Sequence, residues 1–276
     1  MSDFFRLERW EVPPPAGEEE EEEEDPTLGA RVPVDDHVRG PGGGLRTGGL
    51  LTAIDSVGGQ LSGIAVLPRW IVTTSITATV SRLDHVGPLR LDGEILRRGR
   101  NAVVTGIDVV DEGADDRPVA VATMTSAVLE AAGLDLLVER PVVVPMPPAR
   151  PGAPDPEEFF GIEPGDGAVT RLRLDDRLRN PWGILHGGAV AMLADTAACR
   201  AVLADAPQTA AGGAVAAADV VLHYLRPVRV GPVEARCRIL GSRAGRTMVR
   251  VSVHDVGADH RQVLLGSVAV VAARAS

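Results

Sequence analysis

Aromatic residues make up only 3% of this 276-residue chain, so a core of ordinary size has to be built from Val, Leu, Ile and Ala. Cysteine is almost missing: Cys199 and Cys237 stand alone, with no C-x-x-C pair and no histidine at ligand spacing beside them. That argues against a disulfide scaffold and against a zinc site, and both residues read as buried free thiols. The chain opens without a charged segment leading into an apolar one, and no apolar run reaches bilayer length. A cytoplasmic protein without membrane contact is therefore expected. The net charge of −10 is not evenly spread, because Glu18 to Glu24 with Asp25 supply eight negatives in one run. The remainder is close to neutral, which gives nucleic-acid binding no support.

The length suits one large or two medium domains. Residues 1–39 combine Pro13-Pro14-Pro15 with the acidic run and read as a disordered acidic segment that buries too little apolar surface to order itself. Phe4, Phe5 and Trp10 interrupt that composition and could dock as a short arm. From Gly40 a Gly-rich loop leads into the apolar stretch Leu50 to Gly59, helical with one carboxylate, Asp55. It lacks both G-x-G-x-x-G after a strand and a terminal Lys-Ser/Thr, so a nucleotide loop carries little weight. Four segments rich in Val, Ile and Thr follow, at 70–83, 87–98, 102–111 and 118–130, and read as strands. Seven prolines in 139–156 predict a semi-rigid connector. Beyond it the order recurs: a strand at 168–174, a loop, a helix to about Leu203, then strands at 216–224, 231–240, 247–255 and 262–273.

The letters recur too. Val86-Gly87-Pro88 with Ile95-Leu96 matches Val230-Gly231-Pro232 with Ile239-Leu240, Arg82 falls on Arg226, and Asp55-Ser56 falls on Asp195-Thr196. This reads as an internal duplication, with a first domain at 40–138 and a second at 157–276, each an α+β unit in which a curled antiparallel sheet wraps one long helix.

The stretch Asn180-Pro181-Trp182-Gly183-Ile184-Leu185-His186-Gly187-Gly188, followed by Leu193-Ala194-Asp195-Thr196, resembles the hotdog-fold acyl-CoA thioesterases of the phenylacetyl-CoA thioesterase type. The resemblance implies a tandem double hotdog, one chain mimicking the family's dimer, with an acyl-CoA substrate, no separate cofactor and no metal. It implies further association, into a homodimer of double hotdogs. It gives Asn180 and the Gly187 amide the task of polarising a thioester carbonyl, and the helix Asp that of activating water or attacking directly. On the strand after the helix it places a Ser or Thr that steers the water, here Thr73 in the first copy and Ala217 in the second. Gly188 with Arg226, Arg243 and Arg246 would bind substrate, the arginines through the phosphates of CoA; Arg97, Arg98 and Arg100 are the matching first-copy cluster.

Helix geometry restricts the pairing. Asp195 lies eight residues beyond Gly187, roughly 12 Å further along one helix, so the two cannot meet on one carbonyl. A second helix running the opposite way can bring its own Asp there. Site one then joins Asn180, His186 and Gly187 to Asp55 and Thr73. Site two joins Asp195 to Gly40, Arg46 and Thr47, which lack the amide and the imidazole, so one working site per chain is expected. Matching Gly48-Gly49 to Gly187-Gly188 instead would set Ser56 opposite Asp195; the pairing of Ser56 with Thr196 favours the Asp-to-Asp register. His186 would orient the loop rather than transfer protons. Two rivals stand beside this reading. The hydratase signature D-x-N-P-x-H fails because Leu178 precedes Asn180 by two and His186 follows by six. A non-catalytic acyl-CoA-binding protein is the alternative from another class.

Overall fold

A computed structural model describes residues 1, 3–12, 25–130, 144–166, 168–180, 182–205 and 214–273. In chain order the regular elements are β1 (Glu8–Val12), β2 (Thr27–Val32), α1 (Thr47–Ile64), β3 (Trp70–Val80), β4 (Leu89–Arg98), β5 (Ala102–Asp111) and β6 (Arg117–Leu129). Then come α2 (Pro156–Phe160), β7 (Ile162–Pro164), β8 (Val169–Leu172), α3 (Gly187–Asp205), β9 (Val215–Tyr224), β10 (Val233–Arg243), β11 (Arg246–Asp255) and β12 (Arg261–Ala272). The strands form one twelve-stranded sheet in the order β1-β2-β4-β5-β6-β3-β9-β12-β11-β10-β8-β7. Every neighbouring pair is antiparallel. The order reads alike from both ends toward the central pair β3 and β9, which join from Ser75↔His223 to Thr79↔Asp219.

Both long helices pack against the sheet and against each other. Their contact is close because small residues line it: a Cβ on Gly48 would come within 2.6 Å of Met192 Sδ, and one on Gly188 within 2.8 Å of the Thr52 backbone. The Thr52 hydroxyl donates to Gly48 O at 2.8 Å and lies 3.0 Å from Gly188 O, bridging the helices. Among the described residues α3 is the one helix that by length and composition would pass for a membrane span, contrary to the expectation from apolar runs, but 67% of its apolar window is buried inside the fold.

Disorder over 1–39 does not hold for its described parts. Phe4, Phe5 and Leu7 are buried, β1 pairs with β2, and Leu28, Ala30 and Val32 of β2 are fully enclosed. Phe4 stacks on Phe159, and Phe5 and Phe160 join the same cluster. Phe4 and Phe5 dock as the aromatic arm that the sequence offered, whereas the prolines and glutamates of the average composition hid the strands β1 and β2; the run from Glu18 to Glu24 lies outside the described residues. Ordered structure therefore reaches back before Gly40, to β1 and β2. The connector also ends sooner than 156: Pro156 occupies the first turn of α2, where a missing N–H is harmless, and Asp155 Oδ1 accepts from the Glu158 N–H at 3.0 Å. Residues 131–143 lie outside the description. Both cysteines are free thiols.

Candidate active site

The two long helices start alike. Ahead of α1 a one-turn 3-10 helix at Asp36–Val38 leads to an Arg39↔Leu45 bridge; ahead of α3 one at Asp176–Leu178 leads to an Arg179↔Leu185 bridge. The Arg46 N–H donates to Val38 O and the His186 N–H to Leu178 O, so Arg46 and His186 hold the same place. Each helix start then receives a carboxylate from the opposing helix. The Gly188 N–H donates to Asp55 Oδ2 at 2.7 Å, and the Gly48 N–H to Asp195 Oδ2 at 3.0 Å. This sets Asp55 and Asp195 in equivalent positions and leaves Ser56 opposite Thr196.

Around Asp55, which is 4% exposed, the contacts are dense. The Thr73 hydroxyl donates to Oδ1 at 2.8 Å, while His186 Nδ1 lies 2.9 Å from Oδ2 and 3.1 Å from Gly188 N. Thr73 reaches Asp55 from a β-bulge, since the β3–β6 register shifts between Thr73 and Ser75. A Cβ on Gly187 would come within 2.8 Å of Asp55 Oδ1, so only glycine lets the carboxylate lie against this backbone. Burial pushes the Asp55 carboxyl up, but His186, Thr73 and the Gly188 amide outweigh it and hold the group below the ordinary aspartate value. Asp55 is thus an anion enclosed by protein.

Among the described residues the Gly187 N–H has no acceptor, as the first-turn amides of a helix do when nothing caps them. Asn180 Oδ1 accepts from the Trp182 N–H at 3.0 Å and the Ile184 N–H at 3.3 Å, which shapes the loop and leaves its amide NH₂ group uncommitted. Gly187, Asn180, His186, Asp55 and Thr73 all line one cavity of about 550 Å³. Trp70 and Trp182 stack in its wall.

Tyr224, the chain's single tyrosine, completes the pocket and was not singled out from the sequence. Its hydroxyl donates to Gly187 O at 3.0 Å; burial, then the charge of Asp55, pushes its pKa well up. No local motif marks it; its one signal is its place at the end of β9.

Asp195 has different company. Arg46 Nε lies 3.7 Å from its Oδ2, and Cys199 Sγ lies 3.8 Å from its Oδ1. Burial pushes its pKa up, and Arg46 and the Gly48 amide only partly offset that. A second cavity, of about 680 Å³, is lined by Asp195, Arg46, Cys199, Arg200 and Glu157. Glu157 is ion-paired with both Arg46 and Arg200 across it. Thr47, in the place of Gly187, donates to Ala217 O at 2.7 Å, and Ala217 stands at the bulge of β9 where β3 has Thr73.

Of the arginines expected at phosphates, Arg226 lines the first cavity and donates to Gln262 O at 3.0 Å. Arg243 and Arg246 face each other at the β10–β11 hairpin, away from that cavity, and Arg246 is ion-paired with Asp219. Met192 is buried at the helix–helix contact rather than in the pocket. Among the described residues no group of three His, Cys, Asp or Glu side chains is placed to hold a metal ion.

The family model of the Thioesterase superfamily matches residues 183–263, from the turn before α3 to the start of β12. No curated protein gives a significant match. Among solved structures, the tesB protein of Mycobacterium avium subsp. paratuberculosis is similar over 91% of this chain and 94% of its own, with 13% identity and a TM-score of 0.59. Acyl-CoA thioesterase II TesB2 from Mycobacterium marinum is similar over 90% of this chain and 92% of its own, at 15% identity and TM-score 0.57. The 12:0-ACP thioesterase from Umbellularia californica is similar over 89% of this chain and 94% of its own, at 10% identity and TM-score 0.59. At such identities the likeness is one of fold: this chain combines helices with an antiparallel sheet in the manner of the hotdog-fold thioesterases, and its residues 183–263 match their superfamily.

Proposed function

We propose that this protein is a thioester hydrolase of the phenylacetyl-CoA thioesterase type, a tandem double hotdog acting on acyl-CoA through one composite site per chain. The observation that carries the reading is an enclosed, ionised Asp55 from one helix lying against the unpartnered Gly187 amide of the other, inside a cavity. Matching element order on the two sides of the β3–β9 junction supports the tandem reading.

The thioester carbonyl oxygen docks on the Gly187 N–H, with the Asn180 side-chain NH₂ as second donor. Both donors are fixed before substrate arrives, so charge developing on that oxygen is stabilised without reorganisation. Asp55 takes a proton from water as the water oxygen bonds to the acyl carbon; the carbon–sulfur bond then breaks, the leaving sulfur takes that proton from Asp55, and the carboxylate is regenerated. Direct attack by Asp55, giving a mixed anhydride that water opens, uses the same contacts. The Thr73 hydroxyl donates its hydrogen bond to Asp55 and keeps its lone pairs to accept from the water. His186 and Tyr224 hold the carboxylate and the helix start in place. Arg226 is placed for the phosphates of the carrier.

Thiol release from short-chain, medium-chain and aromatic acyl-CoA esters tests this. Hydrolysis that survives in Asp55→Asn but not in Asp195→Asn would overturn the site assignment. Tight acyl-CoA binding with no thiol release from any ester would make the protein a binder instead.

A further inference from the structure

Beyond Asp55 the cavity follows α1. Gly59 and Gly63 lie four and eight residues on, on the same helical face, and both line the cavity. A Cβ added at either would meet nothing within 4 Å. An acyl chain leaving the reacting carbon thus has a lane along the helix, walled by Ile64, Ile71 and Leu129. Gln60, roughly 7.5 Å beyond Asp55 along the axis, also borders the cavity.

Such a lane calls for an apolar end, yet Arg9 lines it. Arg9 Nη1 donates to Gln60 Oε1 at 2.8 Å, and among the described residues no carboxylate forms an ion pair with it. Its Nε is buried and has no hydrogen-bond partner among the described residues. Burial pulls its pKa down, with the nearby charge of Asp3 opposing. A guanidinium has five N–H donors, and enclosing it without an anion is unfavourable. Other half-buried arginines here are matched: Arg46 and Arg200 share Glu157, and Arg6 pairs with Asp35.

We infer that Arg9, steadied by Gln60, receives an anionic acyl terminus, so that the substrate class is an ω-carboxyacyl thioester. The inference rests on the thioester-hydrolase reading of this cavity. A carrier phosphate would offer Arg9 the same anionic chemistry. Position favours the acyl carboxylate: Arg226 and Arg229 follow Tyr224, which is bonded to Gly187, whereas Arg9 and Gln60 lie further along α1.

The test compares a length series of straight-chain acyl groups with their ω-carboxyacyl counterparts, each as the CoA ester and as the N-acetylcysteamine ester, which has no phosphate. Wild type should favour the acidic chain in kcat/KM by about tenfold or more on both carriers. Arg9→Met should abolish that preference while plain acyl esters are still hydrolysed. Gln60→Glu, which keeps Arg9 and gives it an internal carboxylate, should do the same. A wild type that favours the plain chain overturns the inference, as does a preference that persists in both variants. So does an Arg9→Met defect confined to CoA esters and equal for all of them, which would make Arg9 a phosphate contact. Calorimetry with non-hydrolysable thioether analogues reads the preference without turnover. Selective binding of the acidic analogue without hydrolysis of any ester keeps this inference and overturns the hydrolase reading.

Discussion

The starts of α1 and α3 have nearly the same backbone and opposite chemistry. Each loop makes the same bridge, each helix offers its second amide, and each receives an Asp from the other helix. Asp55 meets an imidazole and a hydroxyl and stays below the ordinary aspartate value; Asp195 meets a guanidinium and a thiol and is raised above it. Beyond the carboxylate, α1 has Gly59, Gln60 and Gly63 where α3 has Cys199, Arg200 and Leu203. Along α1 the two glycines leave open space, while the second cavity is crossed by the Arg46–Glu157–Arg200 ion pairs. Shared geometry sets where a carboxylate can sit. The side chains around it decide whether that carboxylate is available as an anion beside a free amide.

The sharpest way to break this comparison is to neutralise each carboxylate in turn. Asp55→Asn should lower kcat by about 10²–10⁴-fold, and Asp195→Asn should leave it unchanged, with thiol release as the measurement. The pH dependence follows from the directions of the shifts. Asp55 is depressed, so its anion and the stability it contributes are present above the ordinary aspartate value and are lost as pH falls through its lower folded value. kcat/KM, which reports the groups of the free enzyme, should therefore stay on its plateau down to about the ordinary aspartate value of 3.8. An acid limb near neutrality would sink the assignment of Asp55. Asp195 is raised, so its stability contribution is present at low pH and lost as pH rises through its folded value. Asp195→Asn should accordingly be no less stable than wild type at neutral pH, as read by thermal melts.

Next in size is Gly187→Ala. The new methyl would press on Asp55 Oδ1, with 2.8 Å between them, and would spoil the fit of the carboxylate against the amide. A kcat loss of about 10²–10³-fold is expected, comparable to removing one oxyanion donor. Circular dichroism should show the fold retained. Thr73→Val, which keeps shape and removes only the hydroxyl bonded to Asp55, should cost less, about tenfold, mainly in kcat. Equal losses in the two variants would mean that the amide has no special part.

Much of this contrast was legible in the letters. The strands after each helix fall within a few residues of their expected bounds because Val, Ile and Thr alternate between clear turns. The Asp-to-Asp register could be proposed because Ser56 and Thr196 follow the two carboxylates. What was not legible depends on distant contacts. Phe4 and Phe5 are held by Phe159 and Phe160, and β2 by the edge of β4, none of which is near in sequence. Nor do the letters say which helix carboxylate meets an arginine across the helices; the structure gives that partner to Asp195. Tyr224 and Arg9 carry no spacing signal, since each reaches the cavity from another part of the sheet.

Glu157→Gln tests the silent half of the comparison and should have the smallest effect on turnover. Glu157 lies on α2, which is anchored by the buried Phe160, and its carboxylate joins Arg46 to Arg200 with side chains 20–30% exposed. The amide keeps the shape but removes the charge from two ion pairs, leaving Arg46 with Asp195 as its one anion among the described residues. Losing charge-assisted hydrogen bonds at a partly exposed site should lower stability by about 1–3 kcal/mol, measurable by denaturant titration. Hydrolysis at Asp55 should not change, because Glu157 does not line that cavity. A fall in kcat as large as that of Thr73→Val would mean that the two helix starts are energetically coupled, and that the second cavity shares in the work of the first.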